Sequence, residues 1–272
     1  MRRIRLVMCM TLAAIVGLAS VGCTKREEAA LEPQVAPPVI ARPGVLRAAV
    51  ALDYPPFGAK VEGAEVGLDV DVAAAIAERL GLKLEIVEVS SERAIPALTE
   101  DEVDIVLAAL PLSEGLLTEA TFAGSYIDDA PAFFTSTDET LTVASLGGRR
   151  PAVQERSAAY WILDRRLGSE VASSYPTLRA AFEALEGGHV EVVAGDAVVG
   201  AYLARDFTRV RLAGQLEPAV PLGVVVAKDA TDLESVVREA LDALSADGVL
   251  DAVRAKWAGD LPKLEVRTAE DP

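Results

Sequence analysis

The sequence predicts an α/β protein built as two lobes. Two observations carry this expectation. Short β-branched apolar runs alternate with segments whose apolar residues recur every three to four positions, and 272 residues exceed what one ordinary domain needs. The order strand, helix, strand, helix, strand over residues 44–110 implies a parallel sheet with right-handed crossovers. An apolar content of 51% suffices for a packed core without disulfides.

Residues 1–22 read as an export signal. Arg2, Arg3 and Arg5 form a basic start, and residues 6–19 an apolar core too short for an ordinary membrane span. Ser20-Val21-Gly22-Cys23 is similar to a lipobox, in which a small residue precedes a cysteine that becomes acylated, although Ser20 stands where leucine is usual. The competing reading is ordinary cleavage nearby with an incidental cysteine. Lipidation would leave Cys23 as the acylated N-terminus and remove Cys9, so neither a disulfide nor a thiolate metal site is expected. Loss of residues 1–22 removes three arginines and no acid, taking the formal charge from −16 to −19. A surface that acidic repels nucleic acid and anionic lipid, which leaves the lipid on Cys23 as the expected membrane attachment. Residues 23–43, charged and then Pro-rich, show no period of 2 or 3.6 and read as a tether.

The folded part is expected from Gly44. Residues 46–52 are a strand candidate closed by Asp53-Tyr54-Pro55-Pro56-Phe57, where two prolines forbid a continuing ladder and hold two aromatics on a loop. Tyr54 and Phe57 either face a ligand or plug the core beneath that loop. Leu68, Val72, Ile76 and Leu80 recur at helical spacing, and Gly81 stops the helix. Asp69 and Asp71, at its start, are expected to cap free N–H groups. Residues 84–89 read as a strand, 94–99 as a short helix and 103–110 as a third strand. That third strand runs into the polar, small-residue segment 111–115. In open α/β sheets the crevice beyond the strands' carboxyl ends is where ligands sit, so this loop is a candidate binding element.

Residues 130–135 are extended and apolar, and a second α/β unit follows. Residues 152–154 read as a strand end and 157–167 as a helix, while Leu178, Ala181, Phe182 and Leu185 form the buried face of another helix ending at Gly187-Gly188. Residues 190–194 are a buried strand that stops at Gly195-Asp196, which puts Asp196 at a carboxyl end; residues 197–204 continue as a helix. A long extended run over 220–227 leads to a helix carrying Leu233, Val237, Leu241 and Leu244 on one face. Leu250, Val253 and Trp257 mark a last short helix. His189, the only histidine, lies in the Gly-Gly turn and is expected to be solvated. The sequence holds no Ser/His/Asp set, metal-ligand cluster, Walker loop or Rossmann glycine pattern, so no metal, cofactor or covalent chemistry is expected.

Gly44-Val45-Leu46, the Tyr54-Pro55-Pro56-Phe57 loop, residues 67–73 (GLDVDVA), Ile95-Pro96-Ala97-Leu98, Asp104-Ile105 and residues 122–126 together resemble family 3 of the bacterial extracellular solute-binding proteins. The likeness continues through Ala152-Val153-Gln154, residues 190–196 with Ala201-Tyr202-Leu203, and residues 223–228, and so spans about 44–258. It implies the periplasmic-binding-protein fold: two α/β lobes, each a sheet flanked by helices, joined by two crossing strands and closing on a ligand by hinge motion. On that basis lobe 1 comprises residues 44–133 and 222–262, lobe 2 residues 134–221, and residues 263–272 a flexible tail. It further implies a monomeric, non-enzymatic amino-acid receptor of an ABC importer in the cell envelope, on the extracytoplasmic or periplasmic face, working with permease subunits.

The resemblance also places the binding residues. Tyr54, with Phe57 on the same loop, stands where the family sets an aromatic against the ligand, and Asp196 where a carboxylate takes the ligand's α-ammonium. Ser157 falls in the loop that meets the ligand carboxylate, but Arg156 replaces the usual glycine there. Between 104 and 122 the match fails at the site. Pro111 replaces Ser or Thr, Ala109 and Leu110 offer only backbone, and Leu116 stands where the family has its carboxylate-binding arginine. That arginine normally makes a planar bidentate pair. Losing one member of a buried charge pair costs on the order of 2–5 kcal/mol, and each ~1.4 kcal/mol is about tenfold in affinity.

Three functions compete at this level. In the first, the chain binds an amine-bearing solute with no conventionally held α-carboxylate. In the second, Arg156 replaces the missing cation and an amino acid is bound. In the third, the domain serves as an envelope sensor or accessory protein. An enzyme would need a general acid or base in the cleft, and only Asp196 and Glu114 are nominated.

Overall fold

The computed structural model describes residues 32–168 and 172–266. The export signal, Cys23 and residues 267–272 of the expected tail lie outside these residues. Chain order in the first lobe is β1 (Val45–Val50), β2 (Asp53–Tyr54), β3 (Gly58–Val61), β4 (Ala64–Val66), α1 (Leu68–Arg79), β5 (Lys83–Glu88), α2 (Ala94–Thr99), β6 (Ile105–Leu107), α3 (Glu114–Glu119) and β7 (Ala120–Asp129). The second lobe follows as β8 (Pro131–Thr135), β9 (Ala152–Gln154), α4 (Ala158–Leu167), β10 (Ser173–Tyr175), α5 (Leu178–Glu186), β11 (Val192–Asp196), α6 (Ala197–Ala204) and β12 (Arg211–Gln215). The chain then returns to the first lobe as β13 (Val220–Ala227), α7 (Thr231–Ala246) and α8 (Val249–Ala258).

Each lobe holds one five-stranded sheet, ordered β5-β1-β6-β13-β7 and β10-β9-β11-β8-β12. The expected parallel pairing describes β5-β1-β6 and β10-β9-β11, whereas β13 and β8 run antiparallel to their neighbours. The sheets exchange chain at Ala130 and again over residues 216–219, slightly earlier than the family likeness implies on both passes. A third, small antiparallel sheet of β2, β3 and β4 was not legible, because its strands are short and largely exposed.

The period-2 alternation of the strands divides each core between two sheet faces. In lobe 1, Leu46 and Ile105 pack with α1, α7 and α8, while Ala49, Val106 and Val225 face α2. In lobe 2 the adjacent Phe133 and Phe134 point to opposite faces: Phe134 meets Phe182 of α5, and Phe133 packs with Ala159 and Leu163 of α4. At full burial each such side chain contributes roughly 1.5–3 kcal/mol. The lobes also touch behind the cleft. Val198 of α6 joins the lobe 1 core, the Tyr202 and Trp257 rings lie 6.3 Å apart, and Arg205 donates to the Lys256 carbonyl at 2.9 Å.

Asp69 and Asp71 do not cap α1. The N–H groups of Leu68 and Asp69 already donate to the carbonyls of Pro56 and Phe57, both at 2.9 Å, so those donors need no carboxylate. Asp71 instead accepts from Lys256 Nζ and Trp257 Nε1, each at 2.6 Å, and ties α1 to α8. Gly67 makes the junction possible. A Cβ there would sit 2.1 Å from the Phe57 oxygen, and its φ of +147° suits glycine.

Both ends of the described chain are docked. Gln34 bonds to the carbonyls of Leu80 and Arg79, Ile40 is buried, and the Ala41 N–H donates to Asp104 at 3.1 Å. Asp104 also takes the Arg47 guanidinium at 2.9 Å, so the start of β6 is clamped to β1 and to this segment. At the other end, residues 263–266 pack rather than hang free. Leu264 is buried in the lobe 2 core, the Ala219 N–H donates to the Glu265 carbonyl at 2.7 Å, and Ala219 bridges to Val266.

Candidate ligand cleft

One wall of the cleft comes from lobe 1. Tyr54 stacks on Phe57, with ring centroids 5.4 Å apart and 20° between planes. Phe57 is 1% exposed and belongs to the core, whereas Tyr54 is 37% exposed, so the inner aromatic supports the outer one. Beside them, the loop after β6 is fixed from two sides. The Ala109 N–H donates to Asp69 Oδ2 at 3.0 Å, while Leu112 N–H and the Leu110 carbonyl bond to Pro221 and Gly223 of β13. Ala109 sits at φ +50°, a left-handed conformation held by these anchors.

The other wall belongs to lobe 2. β9 ends at Gln154, and α4 begins after Ser157, whose hydroxyl accepts the Tyr160 N–H at 3.1 Å as an N-cap. Arg156 has φ +60°, which explains why glycine suits this position and means that arginine bears a cost on the order of 1–2 kcal/mol. Asp196 ends β11 where α6 starts.

These walls enclose a cavity of about 550 Å³. It brings together Tyr54, Phe57, Ala109, Pro111, Arg156, Ser157 and Asp196 from the expected set. Leu110 and Leu116 are not among its lining residues. Both pack against the α2-side core of lobe 1, because α3 turns Leu116 toward apolar neighbours. Glu114 is exposed on α3 and does not line the cavity. Sequence reasoning missed Asp129, Gln154, Glu155 and Val220, which do.

Charge is distributed unevenly across this space. The Tyr54 hydroxyl donates to Asp196 Oδ2 at 3.2 Å, a bond from one lobe to the other. Burial pushes the Asp196 carboxyl up, an effect that the Tyr54 hydrogen bond opposes. The Tyr54 phenol is raised as well, by burial first and by the Asp196 charge second. Asp129 is pushed up to about 7, chiefly by burial and then by Asp196, against the stabilising N–H bonds it accepts. The same lining also carries Arg156 and the first residues of α4, whose dipole favours negative charge. Among the described residues there is no cluster suited to a metal ion.

Two α/β lobes connected by crossing strands, with a cavity between them whose mainly apolar lining carries a few charged groups, form the architecture of a solute-binding protein. Residues 46–260 match the model for bacterial extracellular solute-binding proteins, family 3, and the chain belongs to that family. A similar curated protein is a putative ABC transporter arginine-binding protein 2 of Escherichia coli (strain K12), 24% identical over 78% of this chain and 90% of that protein. Among solved structures, an ancestral cationic amino acid solute binding protein superposes with a TM-score of 0.72 at 25% identity, covering 79% of this chain and 95% of that one. The family also reaches an enzyme: a cyclohexadienyl dehydratase of Pseudomonas aeruginosa is 33% identical over 38% of this chain and 39% of its own length.

Proposed function

We propose that this chain is the substrate-binding lipoprotein of an ABC-type importer, anchored through Cys23, and that its cleft takes a small polar solute bearing an amine or guanidinium cation. The observation that carries this reading is the largely buried Asp196 carboxylate, reached across the cleft by Tyr54, in a cavity to which lobe 1 supplies no cation. Pro111 has no N–H, and Leu116 packs outside the cavity, so the usual clamp for an α-carboxylate is missing. The names of the arginine-binding and cationic-amino-acid-binding relatives agree with this sign of charge. Asp196 serves here as a binding group, and the chain as a receptor rather than a catalyst.

A second reading is favoured by Arg156 and the N-capped start of α4, which face the same cavity. A zwitterionic amino acid would then place its ammonium on Asp196 and its carboxylate on Arg156. Calorimetry with agmatine and arginine separates the two, since agmatine has the guanidinium and the amine but no carboxylate. Comparable affinities, unchanged in Arg156→Ala, support the first reading. Arginine binding that Arg156→Ala abolishes supports the second.

A further inference from the structure

We propose that Asp129 is a second ligand-binding carboxylate, acting with Asp196 to select a cation that carries several N–H donors. This inference rests on the cationic-solute reading above and names what the cleft demands of that solute. Asp129 ends β7, where the chain leaves lobe 1. Its Oδ1 accepts the N–H groups of Ala130 at 2.9 Å and of Val198 at 3.0 Å, which fixes the carboxyl against the first turn of α6. Oδ2 takes neither of these bonds; the Ala197 N–H, bonded to the Ala130 carbonyl at 2.8 Å, also lies near the carboxyl, and Asp129 lines the cavity. Asp196 likewise commits one oxygen, Oδ2, to Tyr54 and keeps the other free. Two carboxylates, each with an oxygen outside these bonds, therefore border the same space.

The arrangement is costly without a cation. Two like charges in a partly desolvated site oppose each other's ionisation, and a bound cation relieves both. An ammonium offers three N–H donors and a guanidinium five, so either can serve two carboxylates at once. The two carboxylates are also linked through the backbone. Val198 follows closely on Asp196 in the same turn of chain, so the Asp129–Val198 bond ties the end of β7 to the turn that carries Asp196. The cation is thus held between the end of β7 and the start of α6, beside the Tyr54 hydroxyl.

The groups facing Asp129 are Asp196, Tyr54 and the buried Tyr126, with Glu155 and Arg156 also on the cavity lining. With Asp129 near 7, cation binding at neutral pH drives its ionisation and releases a proton. The test is calorimetry of agmatine, arginine and putrescine at pH 7 in two buffers of different ionisation heat, using the native chain, Asp129→Asn and Asp196→Asn. Asn keeps the oxygen that Ala130 and Val198 donate to, and thermal melts check that the fold survives. Asp129→Asn should weaken agmatine binding by roughly tenfold or more and remove the proton release. Affinity within twofold of native, with proton release retained, overturns the inference while Asp196→Asn still reports on the cationic reading. Native binding that neither releases protons at pH 7 nor strengthens from pH 6 to 8 also overturns it, without reliance on any variant. Failure of all three probes to bind the native chain overturns the cationic reading and this inference together.

Discussion

The two walls of the cleft offer different chemistry. Lobe 1 contributes aromatic and apolar surface with one phenol, through Tyr54, Phe57, Ala109 and Pro111. Lobe 2 contributes Arg156, Ser157 with the start of α4, and Asp196, while Asp129 from the crossing is bonded to it. The charged groups that line the cleft therefore belong to lobe 2 and to the crossing. On the proposed reading a solute would meet its charged partners first and the aromatic wall of lobe 1 second.

Removing charge from lobe 2 breaks this asymmetry most directly. Asp196→Asn should weaken an amine ligand by roughly 2–5 kcal/mol, or thirtyfold and upward, measured by calorimetry. Full retained affinity would remove Asp196 from the site. The buried carboxyls give the next effect. Asp69 is pushed up to about 7 by burial, as is Asp129, so the native state holds protons that the unfolded chain releases near 4. The stability gained from these protons is fully present below about pH 4 and is lost as pH rises to about 7, by an amount on the order of a few kcal/mol per group. Chemical denaturation across that window checks it, and Asp69→Asn should flatten the slope. Charge added to the apolar wall is the converse experiment. Leu116→Arg should raise the preference for arginine over agmatine by about tenfold if a cation can swing from α3 into the cleft. The smallest change is Tyr54→Phe. It removes the interlobe hydrogen bond and should cost about 0.5–1.5 kcal/mol, seen mainly as faster ligand release.

What was legible in the sequence follows from which signals are local. β13 was readable over 220–227 because its Val and Leu residues, with no charged residue among them, suit a strand buried on both faces. β10 and β12 were not, since Ser173–Tyr175 and Arg211–Gln215 carry little apolar pattern and their pairing comes from distant strands. Asp196 was readable at the end of a buried strand, and the family likeness gave it its ligand role. Asp129 was invisible, because an acid ending an extended run looks solvated, and its partner Val198 lies in the other lobe. Leu116 was expected at the site from the family likeness, but only the turn of α3 shows that it packs away. Asp69 shows the same limit. Two acids at a helix start suggest caps, and nothing nearby in sequence says that the loop at Pro56 and Phe57 has taken those donors.

The docked segment after α8 has a mechanical consequence. Because Ala219 is bridged to Val266 and bonded to Glu265, the return crossing carries a companion segment that leaves α8 in lobe 1 and ends against lobe 2. A joint of two ribbons can twist as well as bend, whereas a third ribbon laid along one of them resists twisting. Cutting the chain after Leu261 should therefore loosen the torsional freedom of the lobes before it alters what the cleft binds. Any reporter fused at residue 266 would ride on the moving joint itself.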